Sequence, residues 1–315
     1  MRYPGLRRAH RWSGPLHRGE NVRGGRTLRM VVTTVIALLL VVILWEGYKW
    51  IGGQTDDHWP GTSIGLPTTT DDLTMPHATD IVGELFEEVR DGRARLPLYL
   101  FLLKKGWYTF QEAAIGFTFG LAIGMGLAVL MLRWRLVERG LRPWISVSQT
   151  VPLIALAPII VTWGRLHDLP DIFSISLIAT YLTFFPVAVS ALRGLQSPDA
   201  AHLELMRSYA APWRTTLFKL RLPAARAYLF PALKLAATLS VVGAIVGEIS
   251  IGTKTGLGRV ILEYAQRYAV SPERLYAAVV GAAVLGLFVF GLVNLVERLV
   301  MKRTDGAERI EGVAT

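Results

Sequence analysis

The sequence contains no cysteine, which excludes disulfides, thiolate metal centres and cysteine nucleophiles together. It is also poor in charge: 18% of its 315 residues are Asp, Glu, Lys or Arg, against 52% hydrophobic. With a mean hydropathy of +0.39, the chain is far too apolar for an ordinary soluble domain and reads as a membrane protein. No paired carboxylates, Ser/His/Asp set or metal-spaced histidines fall on a shared face, so catalysis by this chain is not expected. His58 and His77, near Asp56, Asp57 and Asp80, read as solvated loop residues rather than ligands. A phosphate-binding loop is missing too. Gly247, Gly252, Lys254 and Thr255 approach the pattern G-x4-G-K-[ST], but Thr253 sets the lysine one place too far and no strand precedes it. The net charge of +10 gathers around apolar segments, which is the mark of membrane orientation and not of nucleic-acid binding.

What the chain does have is long apolar runs. Residues 1–29 carry eight arginines without apolar periodicity and read as a disordered cytoplasmic tail. Residues 30–51 form an apolar run without a small-residue cleavage site, hence an uncleaved first membrane helix. Residues 52–106 are polar and proline-punctuated, an outer-face loop with a surface helix over 81–89. A core over 107–300 holds five more membrane helices, at 107–132, 141–163, 172–192, 228–248 and 276–300, and a short tail, 301–315, ends the chain. The expected fold is therefore all-α and polytopic, with six transmembrane helices. Counting Lys and Arg tests its orientation. Placing the tails, the arginine-rich turn at 133–142 and the polar stretch at 197–225 together gives 19 basic residues, with 10 in the stretches opposite. Both termini are accordingly expected in the cytoplasm of an inner membrane.

Within the core, Gly116, Gly120 and Gly124 recur at four-residue spacing and give one smooth face for a neighbouring helix. Glu112, near the outer end of its segment, is expected to reach water. Pro143, Pro152 and Pro158 interrupt the third segment, where freed carbonyls are tolerable only against other helices or a wet cavity. Gln149, Thr150 and Pro152 there, with Thr180 and Tyr181 on the fourth segment and Glu248 on the fifth, are candidates for a translocation path. Interhelical hydrogen bonding alone is an equal alternative.

The stretch 197–225, SPDAAHLELMRSYAAPWRTTLFKLRLPAA, is the polar interruption around which the second half is arranged. Ser197 is expected to cap a helix whose first residue is Pro198. That helix runs through Leu203 and Met206 until Ala210, Ala211 and Pro212 break it, and Trp213 opens a second short piece. An amphipathic interfacial helix, with Leu203, Met206 and Leu217 on lipid headgroups, is the plain alternative.

The same stretch resembles the signature loop of binding-protein-dependent ABC importer permeases, E-A-A-x3-G-x9-I-x-L-P. Glu204 stands at the glutamate, Leu205 and Met206 at the alanines, Ala210 at the glycine, and Leu220, Leu222 and Pro223 at the close. The resemblance implies a coupling-helix loop seated on a cytoplasmic ATPase, with Ser208, Tyr209, Ala211, Pro212 and Trp213 forming its turn. Alanine at 210 resists the positive φ that glycine allows, so a tighter or fully helical turn is expected. The likeness extends over about 107–300, including Thr109, Glu112, Gly116 and Phe117, which resemble the nitrate, sulfonate and taurine branch, and Glu248 ahead of Gly256–Gly258. Residues 148–164 resemble permeases for pyrimidine vitamin precursors and riboflavin.

The resemblance implies partners: an ABC ATPase dimer carrying the ATP and magnesium, a second permease copy or a sister permease, an extracytoplasmic substrate-binding protein, and membrane lipid. No cofactor is expected in this chain. A vitamin or pyrimidine precursor is the expected cargo, with sulfonate, taurine or nitrate as the alternative. An ion-driven secondary transporter would need ionisable groups near mid-membrane, and the middles of these segments contain none. A membrane-embedded enzyme would need the missing catalytic set.

Overall fold

In hydrocarbon a backbone must satisfy its own N–H and C=O groups, so long apolar runs have little choice but to be helical. The computed structural model describes residues 21–59, 61–62, 64–253 and 255–311. Among the described residues, five stretches are long and apolar enough to cross a membrane: Val35–Gln54, Leu98–Arg133, Asp171–Leu195, Trp213–Ile251 and Pro272–Met301. A sixth arises if a pair of helices bent by 101° counts as one span. The all-α polytopic architecture is therefore the one expected.

The chain divides into two compact units after Ala78. The first is built on α1, Asn21–Gln54. Helix thus begins nine residues ahead of the expected start of the span and takes in the end of the stretch read as a disordered tail; residues 1–20 lie outside the described residues. The following loop is tied back onto the end of α1. Lys49 Nζ bonds Asp72 Oδ1 at 2.6 Å and the Met75 carbonyl at 2.6 Å. Trp45 Nε1 donates to Pro76 O at 3.0 Å, and Glu46 accepts from the Ala78 amide at 2.7 Å. The lysine beside Asp72 holds its carboxyl below the usual range.

In the second unit a short α2, Ala78–Glu84, leads to a hairpin of β1, Glu88–Asp91, and β2, Ala94–Pro97. Neither strand was expected, since the amphipathic run was read as helix to residue 89. Pro97 then opens α3, Leu98–Arg133, nine residues ahead of the expected start of the second segment. Leu98 and Leu102 explain the extension: both are buried against Leu257, Val260, Ala277 and Ala278, so these residues are helix and not loop.

The third segment is not one kinked helix. It is α4, Arg135–Ser148, and α5, Leu153–Leu166, broken at 149–152. Pro152 lacks an amide hydrogen and forces Val151 out of helical geometry, so the break falls where the chemistry requires it. Next, α6, Asp171–Leu195, is the central helix, with Ile175, Ile178, Ala179, Val187, Ala188, Ala191 and Leu195 fully enclosed.

Small residues let its neighbours approach on both sides. A Cβ on Gly116 would meet the Ser176 carbonyl at 2.8 Å, on Gly120 the Thr183 Cβ at 2.5 Å, and on Gly124 the Phe184 carbonyl at 2.6 Å. From the opposite side, a Cβ on Gly243 would lie 2.7 Å from Ala179 Cα. Close backbone contact of this kind holds helices together where lipid is as apolar as the interface.

The chain continues through α7, Ala200–Ser208, and α8, Trp213–Thr216, to α9, Leu222–Ile251. Between α8 and α9 lies one wide turn, Leu217–Arg221, in which the Leu222 amide reaches back to Leu217 O. Pro223 accounts for it, because a normal turn would press its ring against the Lys219 carbonyl. Trp213 thus opens a long helix continuous with the fifth span, and not a second short piece. After Gly252, at φ 67°, come α10, Leu257–Gln266, and α11, Pro272–Glu311. The helix therefore takes in most of the stretch read as a final tail; residues 312–315 lie outside the described residues.

Candidate functional site

The turn after α7 is the first candidate. The helix starts at Asp199, with φ −60° and ψ 152°, and no side chain caps it. Ser197 donates instead to Gly194 O at 2.8 Å, so Ser197 is not the cap and Pro198 is not the first helical residue. The helix ends with the Ala210 amide bonded to Arg207 O at 2.8 Å and the Ala211 amide to Met206 O at 3.0 Å. This pair of bonds closes a helix when the residue between them is left-handed. Ala210 is that residue, at φ 47°. The expectation that alanine would force a tighter or helical turn is corrected: the left-handed turn is made in spite of the methyl group. Pro212 then blocks any return to the same helix.

The base of this turn is anchored and its rim is open. Trp213 lies under the Arg133 guanidinium at 5.7 Å. Arg221 Nη1 donates to Leu195 O at 2.7 Å, and Gln196 Nε2 to Glu138 Oε1 at 3.2 Å. Leu217 is enclosed with Ile145, Leu192 and Leu195, which removes it from the lipid-facing stripe of the alternative reading, while Trp213 and Leu222 pack against the same cluster. Pro223 and Ala211 are half-buried. On the rim no residue of α7 is buried. Glu204, Ser208 and Ala210 are exposed, Met206 is half-buried, and Leu205 and Tyr209 stand 52% and 76% exposed. Two large apolar side chains beside a carboxylate, on a rigid base, are suited to docking against another surface.

The break between α4 and α5 is the second candidate. Gln149, Thr150 and Pro152 are exposed there. The Tyr181 hydroxyl donates to the Ser148 carbonyl, which brings α6 to the break. These four candidates are therefore neighbours. Thr180 is not with them. It is buried, and its hydroxyl bonds Ser176 O at 2.8 Å and Gly116 O at 3.2 Å, a packing role between α6 and α3.

Glu248 is also elsewhere. Its side chain is fully enclosed where α9, α3 and α10 meet. Oε1 accepts from the Thr109 hydroxyl at 2.6 Å, and the same hydroxyl oxygen accepts from the Leu257 amide at 2.9 Å. Oε2 accepts from the Gly258 amide. Glu112 was expected to reach water, yet it is 5% exposed. Among the described residues Glu112 Oε2 has no partner. Two carboxyls are thus enclosed in the helix packing. The only signal in the sequence was a glutamate on each of two apolar helices; nothing local announced that both are buried. Of the phosphate-loop decoy, Gly247 packs on Ile175 and Gly252 ends α9, while Lys254 lies outside the described residues. No group of three or more metal-ligating side chains occurs among the described residues.

Comparison with known proteins is consistent with this architecture. The sequence family described as binding-protein-dependent transport system inner membrane component matches residues 119–302. The formylaminopyrimidine transport permease protein ThiX of Halalkalibacterium halodurans is 31% identical over 61% of this chain and 74% of its own. The putative aliphatic sulfonates transport permease protein SsuC of Bacillus subtilis is 28% identical over 85% and 86%. The riboflavin transport system permease protein RibX of Chloroflexus aurantiacus is 24% identical over 85% and 88%. Among solved structures, an amino acid ABC transporter crystallised with histidines aligns with a TM-score of 0.51 at 20% identity, covering 64% of this chain and 94% of that one.

Proposed function

This chain belongs to the binding-protein-dependent transport system inner membrane components, and we propose that it carries a vitamin or pyrimidine precursor inward with energy from a separate ATPase. That it is a permease subunit of an ABC importer, and not itself an enzyme, follows from the family. The observation that carries the coupling proposal is the turn at Ala210, where an anchored base and an open rim of Glu204, Leu205 and Tyr209 meet the spacing of the family's signature loop. ATP binding between two ATPase subunits would draw the two α7 rims together, and rigid contact through Trp213 and the continuous helix 213–251 would pass that movement to the spans. The effect is limited to the difference in docking between the two states. The ATPase and its nucleotide would lie in the cytoplasm, and on this reading α7 and both termini would lie on that side too.

The cargo proposal rests on the 31% identity to the formylaminopyrimidine permease. Gln149, Thr150 and Tyr181, uncharged and clustered at the α4–α5 break, suit a neutral heterocycle. A small sulfonate is the second reading, favoured by the longer alignment with the sulfonate permease. Uptake of labelled formylaminopyrimidine and of a labelled alkanesulfonate, in cells with and without this chain, separates them. Loss of pyrimidine uptake on deletion supports the first reading. Loss of sulfonate uptake alone overturns it.

A further inference from the structure

Beyond the span that ends at Arg133, α4 runs at 101° to α5. With the apolar α5 directed across the bilayer, α4 lies along its surface, and its sequence divides into three stripes. Val137, Leu141 and Ile145, at four-residue spacing, pack against the core that holds Leu192 and Leu195. Leu136, Trp144 and Val147 are exposed on one flank of that stripe, Leu136 at 84% and Trp144 at 74%. Arg135, Arg139, Arg142 and Ser146, recurring at steps of four and three, occupy the other flank. A helix lying in a membrane interface is divided in this way, its apolar side toward acyl chains and its basic side toward phosphate and water.

The arginine flank has shape as well as charge. Arg135, Arg139 and Arg142, with Glu138, Pro143 and Ser146, line an open cleft of about 580 Å³. Arg142 and Ser146 also border a second cavity, of about 140 Å³, which Leu192 and Arg193 of α6 line too. Glu138 is the one carboxylate in the lining of the cleft, and it is already engaged. Its Oε1 accepts from Arg142 at 2.8 Å and from Gln196 at 3.2 Å. Arg135 and Arg139 are exposed and have no carboxylate partner among the described residues. The cleft therefore holds an excess of positive charge, on guanidinium forks whose geometry suits a phosphate.

We propose that this cleft binds the phosphate of an anionic phospholipid, with Arg135 and Arg139 as the principal donors and Leu136 and Trp144 beside the acyl chains of the same leaflet. The two flanks together favour a lipid over a soluble anion or an acidic protein. A bilayer offers a phosphate layer and an acyl layer side by side, and a helix about 10 Å across reaches both. A soluble partner would meet the arginines and leave Leu136 and Trp144 uncovered. Through Glu138 and Gln196 the site adjoins the base of the turn after α7.

The test titrates the full chain in neutral detergent with dioleoylphosphatidylglycerol and with dioleoylphosphatidylcholine, which share acyl chains and differ in net charge, and reads bound lipid by native mass spectrometry. Phosphatidylglycerol is expected to bind more tightly, by a margin that shrinks as ammonium acetate is raised. Arg135→Gln with Arg139→Gln should cut that preference about tenfold or more and leave phosphatidylcholine binding unchanged. If the double variant is not recovered folded, Arg139→Gln alone is expected to cut it about fivefold. Arg135→Lys with Arg139→Lys, which keeps the charge, should keep most of the preference, and Arg267→Gln, at an exposed arginine of α10, should keep all of it. Equal binding of the two lipids by the unaltered chain, or a preference that survives the glutamine variants, would overturn the proposal. Displacement of the lipid by an equal concentration of glycerol phosphate would make this a soluble-anion site and overturn the lipid assignment. Loss of a co-purifying ATPase from the glutamine variants with the lipid preference intact would assign the flank to a protein partner instead.

Discussion

Ala210 holds a backbone conformation that costs an alanine on the order of 1 kcal/mol more than a glycine. Ala210→Gly should therefore stabilise the solubilised protein by about 1 kcal/mol, and Ala210→Val should destabilise it, because a β-branched residue tolerates φ 47° less well. Thermal unfolding in one detergent reads both; a stabilising valine would contradict the strained turn. Gly120 bears the opposite constraint, since its missing Cβ is occupied by Thr183. Gly120→Leu should cost several kcal/mol, roughly 3 or more, by prising α3 from α6, and would show as poor recovery of folded protein. At this scale the sequence was partly legible. The four-residue glycine spacing announced the close face, whereas the alanine in a glycine position was read as forcing a tighter or helical turn and the left-handed φ of Ala210 was missed. The Glu248 environment was not legible, because Glu248 and the Thr109 bonded to it stand 139 positions apart and meet only after three helices pack.

Among the elements, the proline break was read from local chemistry, while the cap expected at Ser197 and the starts that packing decides were misread. Pro152 marked a break that became a 101° bend. Pro223 marked an irregularity, but proline alone does not distinguish a helix end from a wide turn that continues the helix. The early start of α3 depends on burial of Leu98 and Leu102 beneath α10 and α11, which no local pattern records. The loop after α1 offers a pH prediction. Asp72 is held below its ordinary range by its bond to Lys49, so the carboxylate contributes stability above the ordinary aspartate range that is lost as pH falls. Asp72 is largely exposed, which keeps the effect small. Exchange at the Met75, His77 and Ala78 amides should rise on acidification, and Asp72→Asn should raise it at neutral pH and flatten the acid response. An acid response unchanged in Asp72→Asn would assign it to another group.

For the whole molecule, the two halves of the proposal are separable. A central α6 clasped by α3 and α9 supplies a rigid body, and the α7 rim supplies a handle on it. Glu204→Ala or Leu205→Asp should reduce transport by at least about tenfold while the chain inserts and extracts normally, since neither side chain supports the packing. Transport that survives both substitutions would remove the rim from coupling. Family and the all-α polytopic architecture were legible in the chain because spacing and hydropathy are linear properties. Cargo was not, because the candidate path residues are few, uncharged and at a break, where small side chains serve backbone bonding as readily as recognition.

The most direct measurement is native mass spectrometry of the gently extracted complex, tagged on this chain. The expected result is two copies of the chain, or one with a sister permease, carrying two ATPase subunits, and loss of the ATPase when Leu205 and Tyr209 are both replaced by aspartate. Recovery of the chain without an ATPase, even after mild crosslinking, would contradict coupling through α7.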